Sequence, residues 1–168
     1  MWPRAVAGLI SILLLVASPA VPATADSGAR ATLDGQSLPL VEVGEYHCHD
    51  LYGPVITCYR TSAQLEAAVK GVMDERDGTK GVAAVSYVRI FEHVARQGAS
   101  MYVSADYTNL GSIGWNDRIS SFQSVNSGAG RFYHDSYMTG LYYTFCCGVI
   151  VENVGSTHND KFTSVERA

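Results

Sequence analysis

Two short stretches of this chain carry nearly the same set of oxygen-bearing side chains. Asn116-Asp117-Arg118-Ile119-Ser120-Ser121 is matched, 43 residues on, by Asn159-Asp160-Lys161-Phe162-Thr163-Ser164. Each offers a carboxylate at its second position (Asp117, Asp160) and a hydroxyl at its fifth (Ser120, Thr163). The backbone carbonyls at Arg118 and Lys161 are free to join if the turn leaves them unpaired. Carboxylate, hydroxyl and carbonyl oxygens are what a hard cation such as calcium takes, about six to eight of them in flexible geometry. One carboxylate per loop is a low charge count, so the expected dissociation constant is about 10⁻⁵–10⁻³ M. Asn, Asp and Ser side chains also close turns on their own backbone. The same residues therefore serve either as ligands or as architecture.

Other chemistries are poorly supplied. His47-Cys48-His49-Asp50 has transition-metal ligand types, but neighbours on a strand point to opposite faces, and Cys48 is expected to be oxidised. His93, His134 and His158 read as ordinary surface or core histidines. No Gly-x-Ser-x-Gly elbow, His-Glu-x-x-His helix or phosphate loop is present. The chain reads as non-enzymatic, with no catalytic residues.

The elements that must position the two loops repeat as well. Phe91 leads to Gly98 and Tyr133 to Gly140 across the same spacing, and the two pairs lie 42 residues apart. Self-similarity at such a period marks a duplicated unit. From about Gly81 onward the texture is short, aromatic and β-branched, punctuated by Gly, Asn and Asp. Strands are expected at 82–90, 100–103, 121–125, 131–133, 141–151 and 163–165. About four strands per copy suit a Greek key, and two such units packed face to face share one core. The expected fold is all-β.

These residues resemble a known family. Phe91-x6-Gly98 with Glu92, and Tyr133-x6-Gly140, look like the opening hairpin of a βγ-crystallin Greek key. The two Asn-Asp-x-x-Ser/Thr-Ser stretches look like the calcium signature of its microbial members. Trp115 and Tyr107-Thr108-Asn109-Leu110-Gly111 add to the likeness. The resemblance covers about 85–165. It implies a βγ-crystallin-like sandwich of two Greek keys, about 85–126 and 130–168. It also implies that the signature loop of one repeat and the hairpin of the other close around each ion. The implied metal set is Asp117, Arg118, Ser120, Asp160, Lys161 and Thr163, with carbonyls near Glu92 and His134. Asn116, Ser121, Asn159 and Ser164 complete the motif. The chain departs from its own repeat where His134 replaces Glu92 and His158 replaces Trp115, and where two cysteines enter the second copy.

Residues 1–25 read as a signal peptide: Arg4, an apolar run from Ala5 to Val16, and a small-x-small site at Ala23-Thr24-Ala25. That run is too short to span a bilayer, and no later segment is longer, so the protein is expected to be secreted. The next stretch, 26–40, reads as a flexible tail. Residues 41–80 read as a hairpin plus helix, and 81–168 as the duplicated domain. Thr61-Ser62-Ala63-Gln64 offers a capping box before a stripe of Leu65, Ala68, Val69, Val72 and Met73.

Four cysteines in an exported chain point to disulfides. Cys48 and Cys58 flank a Gly53-Pro54 turn that can join them. Adjacent Cys146 and Cys147 either bridge each other or reach separate partners. The net charge of −4, more negative once the signal is removed, disfavours nucleic-acid binding. Besides calcium binding, two functions fit a small secreted chain. One is inhibition of an extracellular protease, since secreted actinobacterial metalloproteinase inhibitors share the crystallin-like fold and a braced loop from His49 to Thr57 would serve as bait. The other is an antimicrobial, killer-toxin-like role.

Overall fold

The computed structural model describes residues 29–51, 53–78 and 86–168, with side chains omitted at 72–78. The expected signal peptide and residues 81–85 lie outside the described residues. In chain order the elements are β1 (Arg30–Leu33), β2 (Gln36–Leu38), β3 (His47–His49), β4 (Val55–Tyr59) and α1 (Ser62–Gly78). The duplicated half follows with β5 (Tyr87–His93), β6 (Gln97–Val103), β7 (Ser121–Val125), β8 (Gly130–Asp135), β9 (Thr139–Phe145), β10 (Ile150–Val151) and β11 (Ser164–Arg167).

The two copies exchange a strand. β7, β5 and β6 lie side by side in one sheet, and β11, β8 and β9 in the other. The third segment of the first copy crosses over: Tyr107 bridges Val165 of β11 through two backbone hydrogen bonds of 2.9 and 3.0 Å. The third segment of the second copy, β10, crosses the other way to pair with β7. Each unit is thus a Greek key completed by its partner. The run expected at 141–151 breaks after Phe145, because the chain turns there to change sheets.

The exchange encloses a single core. Trp115, Phe122, Phe132 and Phe162 are fully buried between the sheets. Phe122 of β7 lies 5.2 Å from Phe132 of β8, which lies 5.1 Å from Phe162, in the tilted arrangements that aromatic rings prefer.

The N-terminal part differs from expectation. Residues 30–38, read as part of a flexible tail, form the β1–β2 hairpin of the larger sheet. Asp34 and Gly35 both take positive φ, 51° and 80°, as a two-residue hairpin turn demands, and Ala31, Leu33 and Leu38 point into the core. The 41–80 segment is not an appendage. β3 pairs in parallel with β6 and antiparallel with β4, while β1 runs parallel to β4. Eight strands therefore run continuously in the order β10-β7-β5-β6-β3-β4-β1-β2. The Cys48–Cys58 disulfide joins residues directly opposite each other on β3 and β4.

Helix α1 opens on the expected capping box. The Thr61 N–H donates to Gln64 Oε1 at 3.1 Å, and the Gln64 N–H donates to Thr61 Oγ1 at 3.3 Å. Leu65 and Val69 are buried against Leu51, Tyr87 and Tyr102. No helix among the described residues is long and apolar enough to cross a membrane.

Candidate cation site between the two repeats

Each hairpin folds over by the same device. Ala95 and Arg96 after β5, and Tyr137 and Met138 after β8, all have φ between 55° and 60°. Gly98 and Gly140 follow at φ 77° and 79°. A Cβ at Gly140 would run into the Asp135 carboxylate, which explains the invariant spacing from aromatic to glycine within the repeat. The last serine of each signature clamps its hairpin. Ser121 Oγ donates to the His93 carbonyl at 2.6 Å and accepts from the Arg96 N–H at 3.1 Å. Ser164 Oγ does the same with Asp135 and Met138, at 2.6 and 3.0 Å. Both serines are fully buried, so their hydroxyls are committed to architecture.

The hairpins also bulge at matching places. The pairing register slips between Phe91 and His93, at Glu92, and between Tyr133 and Asp135, at His134. A bulge leaves its extra residue unpaired in the ladder. The two positions whose carbonyls the sequence assigned to an ion both lie at these bulges.

The signature loops meet one another crosswise. Asp117 and Asp160 both sit at φ 53°. Their outer oxygens are held by the preceding asparagines: Asn116 Nδ2 donates to Asp117 Oδ2 at 2.7 Å, and Asn159 Nδ2 to Asp160 Oδ2 at 2.6 Å. Their inner oxygens face the opposite repeat. Ser120 Oγ donates to Asp160 Oδ1 at 3.2 Å, and Thr163 Oγ1 to Asp117 Oδ1 at 3.4 Å. Backbone bonds reinforce the exchange, from the Asp117 N–H to the Phe162 carbonyl and from the Asp160 N–H to the Ile119 carbonyl. The carbonyls of Arg118 and Lys161 accept no backbone hydrogen bond among the described residues. The carboxylate and hydroxyl that meet therefore come from different loops, Asp160 with Ser120 and Asp117 with Thr163. Spacing along the chain does not encode the strand exchange that swaps them.

Glu92, His93, Asp117, Arg118, Ser120 and Asp160 line one depression. Arg118 reaches Glu92 Oε1 and Glu45 Oε1, each at 2.7 Å. Glu45 lies in the segment between β2 and β3, so this pair ties the N-terminal part to the site. Burial alone would raise the Glu92 acid; the Arg118 guanidinium and the Ala99 N–H outweigh it and hold the carboxyl below its usual range. The Glu92 side chain is therefore committed to Arg118 and the Ala99 N–H. On the second side, Lys161 Nζ donates to the carbonyls of Ser156 and Thr157. His134 Nε2 lies 3.0 Å from His158 Nδ1. Burial, then His134 and Lys161, lower the His158 pKa. Trp115 is buried in the core where the second copy has half-buried His158.

No group of three or more His, Cys, Asp or Glu side chains among the described residues is arranged to hold a metal. Cys48 is bonded to Cys58 and is not a thiolate ligand. The donors gathered between the repeats are a carboxylate, a hydroxyl and carbonyls, a set that suits a hard cation and not a soft one. The proposed bait segment presents little surface: His49, Asp50, Leu51 and Ile56 are buried, and Gly53, Pro54 and Val55 form the exposed tip.

No protein-family model matches this chain, and no curated protein does. Among solved structures, a βγ-crystallin from Ciona intestinalis matches at 26% identity and TM-score 0.45, over 49% of this chain and 99% of that one. An archaeal βγ-crystallin matches at 26% identity and TM-score 0.46, over 51% and 100%. A βγ-crystallin domain from Clostridium beijerinckii matches at 26% and 0.43, over 48% and 95%. Over about half of its length the chain is similar to these βγ-crystallin domains. In this sandwich the exchanged third strands bring both signature loops together. The hairpins β1–β2 and β3–β4 extend its first sheet beyond β6.

Proposed function

We propose that this is a secreted, non-enzymatic protein that binds calcium at two sites between its Greek keys. The observation that carries the reading is the crosswise pairing of Asp160 with Ser120 and of Asp117 with Thr163. One site takes the Asp160 carboxylate, the Ser120 hydroxyl and carbonyls at Arg118 and Glu92. The other takes Asp117, Thr163 and carbonyls at Lys161 and His134. A bound ion would supply a divalent charge that joins the two repeats. Binding to the folded state alone stabilises it by mass action, by about 2.7 kcal/mol per site at a hundredfold excess over the dissociation constant. Arg118 does not oppose an ion strongly, because Glu45 and Glu92 balance its charge. Secretion is supported by the signal-like residues 1–25 and by the two disulfides. Melting the mature chain in millimolar calcium and in chelator tests the proposal. A higher melting temperature in calcium, with a smaller shift in magnesium, is expected. Equal temperatures would leave the loops as architecture.

A further inference from the structure

The molecule carries two disulfides in opposite settings. Cys48 and Cys58 are fully buried in the sheet. Cys146 and Cys147, adjacent in sequence and bonded to each other, are both exposed on the turn after β9. Cys146 also lines an open cleft with Arg131, Thr144, Phe145, Glu166 and Arg167. We propose that the Cys146–Cys147 bond is a thiol-exchange site, open to small thiols in the native protein and coupled to the docking of β10.

Access favours exchange. A thiolate must reach a disulfide sulfur directly, and Cys146 and Cys147 are exposed residues whereas Cys48 and Cys58 are fully buried. An attacking thiolate bonds to one cysteine sulfur as the Cys146–Cys147 bond breaks. The electron pair leaves on the other sulfur, which later takes a proton from water. With a dithiol reagent, its second thiolate displaces the first bond, giving two cysteine thiols and one oxidised reagent.

The coupling follows from where the turn sits. Here the second copy crosses from one sheet to the other. The Cys147 N–H donates to the Gly128 carbonyl at 3.2 Å, and the Val149 N–H to the Cys146 carbonyl at 3.2 Å. The Ser124 N–H of β7 donates to the Val149 carbonyl at 2.9 Å, and Ser124 Oγ accepts from the Gly148 N–H at 3.1 Å. The bridge fixes the conformation from which these bonds are made. Opening it frees the turn and loosens β10 on β7.

The test uses the native, full-length mature protein treated with low-millimolar dithiothreitol, then iodoacetamide, with peptides assigned by mass. Two added groups on the Cys146–Cys147 peptide and none on Cys48 or Cys58 are expected. Hydrogen exchange at Ser124 and Val149 should then be at least tenfold faster, with β5 and β6 unchanged. An unlabelled Cys146–Cys147 peptide, or labelling of all four cysteines together through global unfolding, would overturn the exchange site. Unchanged hydrogen exchange after labelling would overturn the coupling.

Discussion

At the level of single residues, the signature divides into proposed ligands and fasteners. Ser121 and Ser164 each satisfy one donor and one acceptor inside the protein. Substituting either by alanine removes both hydrogen bonds, each worth about 0.5–1.5 kcal/mol net. Urea denaturation should show that loss in Ser121→Ala and Ser164→Ala with calcium present or absent. A calcium-dependent loss alone would make these serines ligands. A second residue-level expectation concerns acid. Burial lowers His49 from its ordinary 6.5 to about 4. Between those values the unfolded chain binds the proton and the folded protein does not, so stability falls as pH drops through that window, by on the order of 3 kcal/mol in full. Asp50, raised by burial against the donors at Ser104, Tyr107 and Ala105, acts in the opposite direction. Comparison with His49→Gln isolates the histidine: the variant's unfolding midpoint should depend less steeply on pH between about 6.5 and 4, and an unchanged slope would count against a buried neutral imidazole. The sequence announced the oxygens of the two loops through residue type and spacing. It did not announce which carboxylate meets which hydroxyl, because that depends on two strands changing sheets.

Among the elements, local signals were read well where one segment carries them whole. The α1 capping box and the Leu65–Val69 stripe lie within a few residues of each other, and both appear in the fold. Leu65 is fully buried under the helix against Tyr87 and Tyr102. Leu65→Ala should lower stability by roughly 2–5 kcal/mol, measured by chemical denaturation; a change under about 0.5 kcal/mol is what an exposed position gives. The β1–β2 hairpin was legible but unread. Asp34-Gly35 is a strong two-residue turn signal, and the small polar residues around it masked the inward-facing Ala31, Leu33 and Leu38. The break at Phe145 was hidden for a different reason: strand-forming residues continue on both sides of the turn, and only the adjacent cysteines and Gly148 mark it.

For the whole molecule, the duplication predicted a two-key sandwich because self-similarity fixes topology without knowledge of long-range contacts. The parallel pairings of β3 with β6 and β1 with β4 join segments far apart in sequence, so no local pattern specifies them. They make the N-terminal part continuous with the first sheet, and Glu45 reaches the site through Arg118. The central claim, two cation sites each shared between repeats, makes a demand that a single-loop site would not. Calorimetric calcium titration of the mature protein should show two sites with dissociation constants of about 10⁻⁵–10⁻³ M. Asp160→Ala and Ser120→Ala should each weaken the same site, so that their combination still leaves the other intact. Asp117→Ala combined with Ser120→Ala should damage both. If calcium gives no binding heat and no change in melting temperature, or if the Asp117→Ala and Ser120→Ala pair silences one site and spares the other, the crossed arrangement is contradicted.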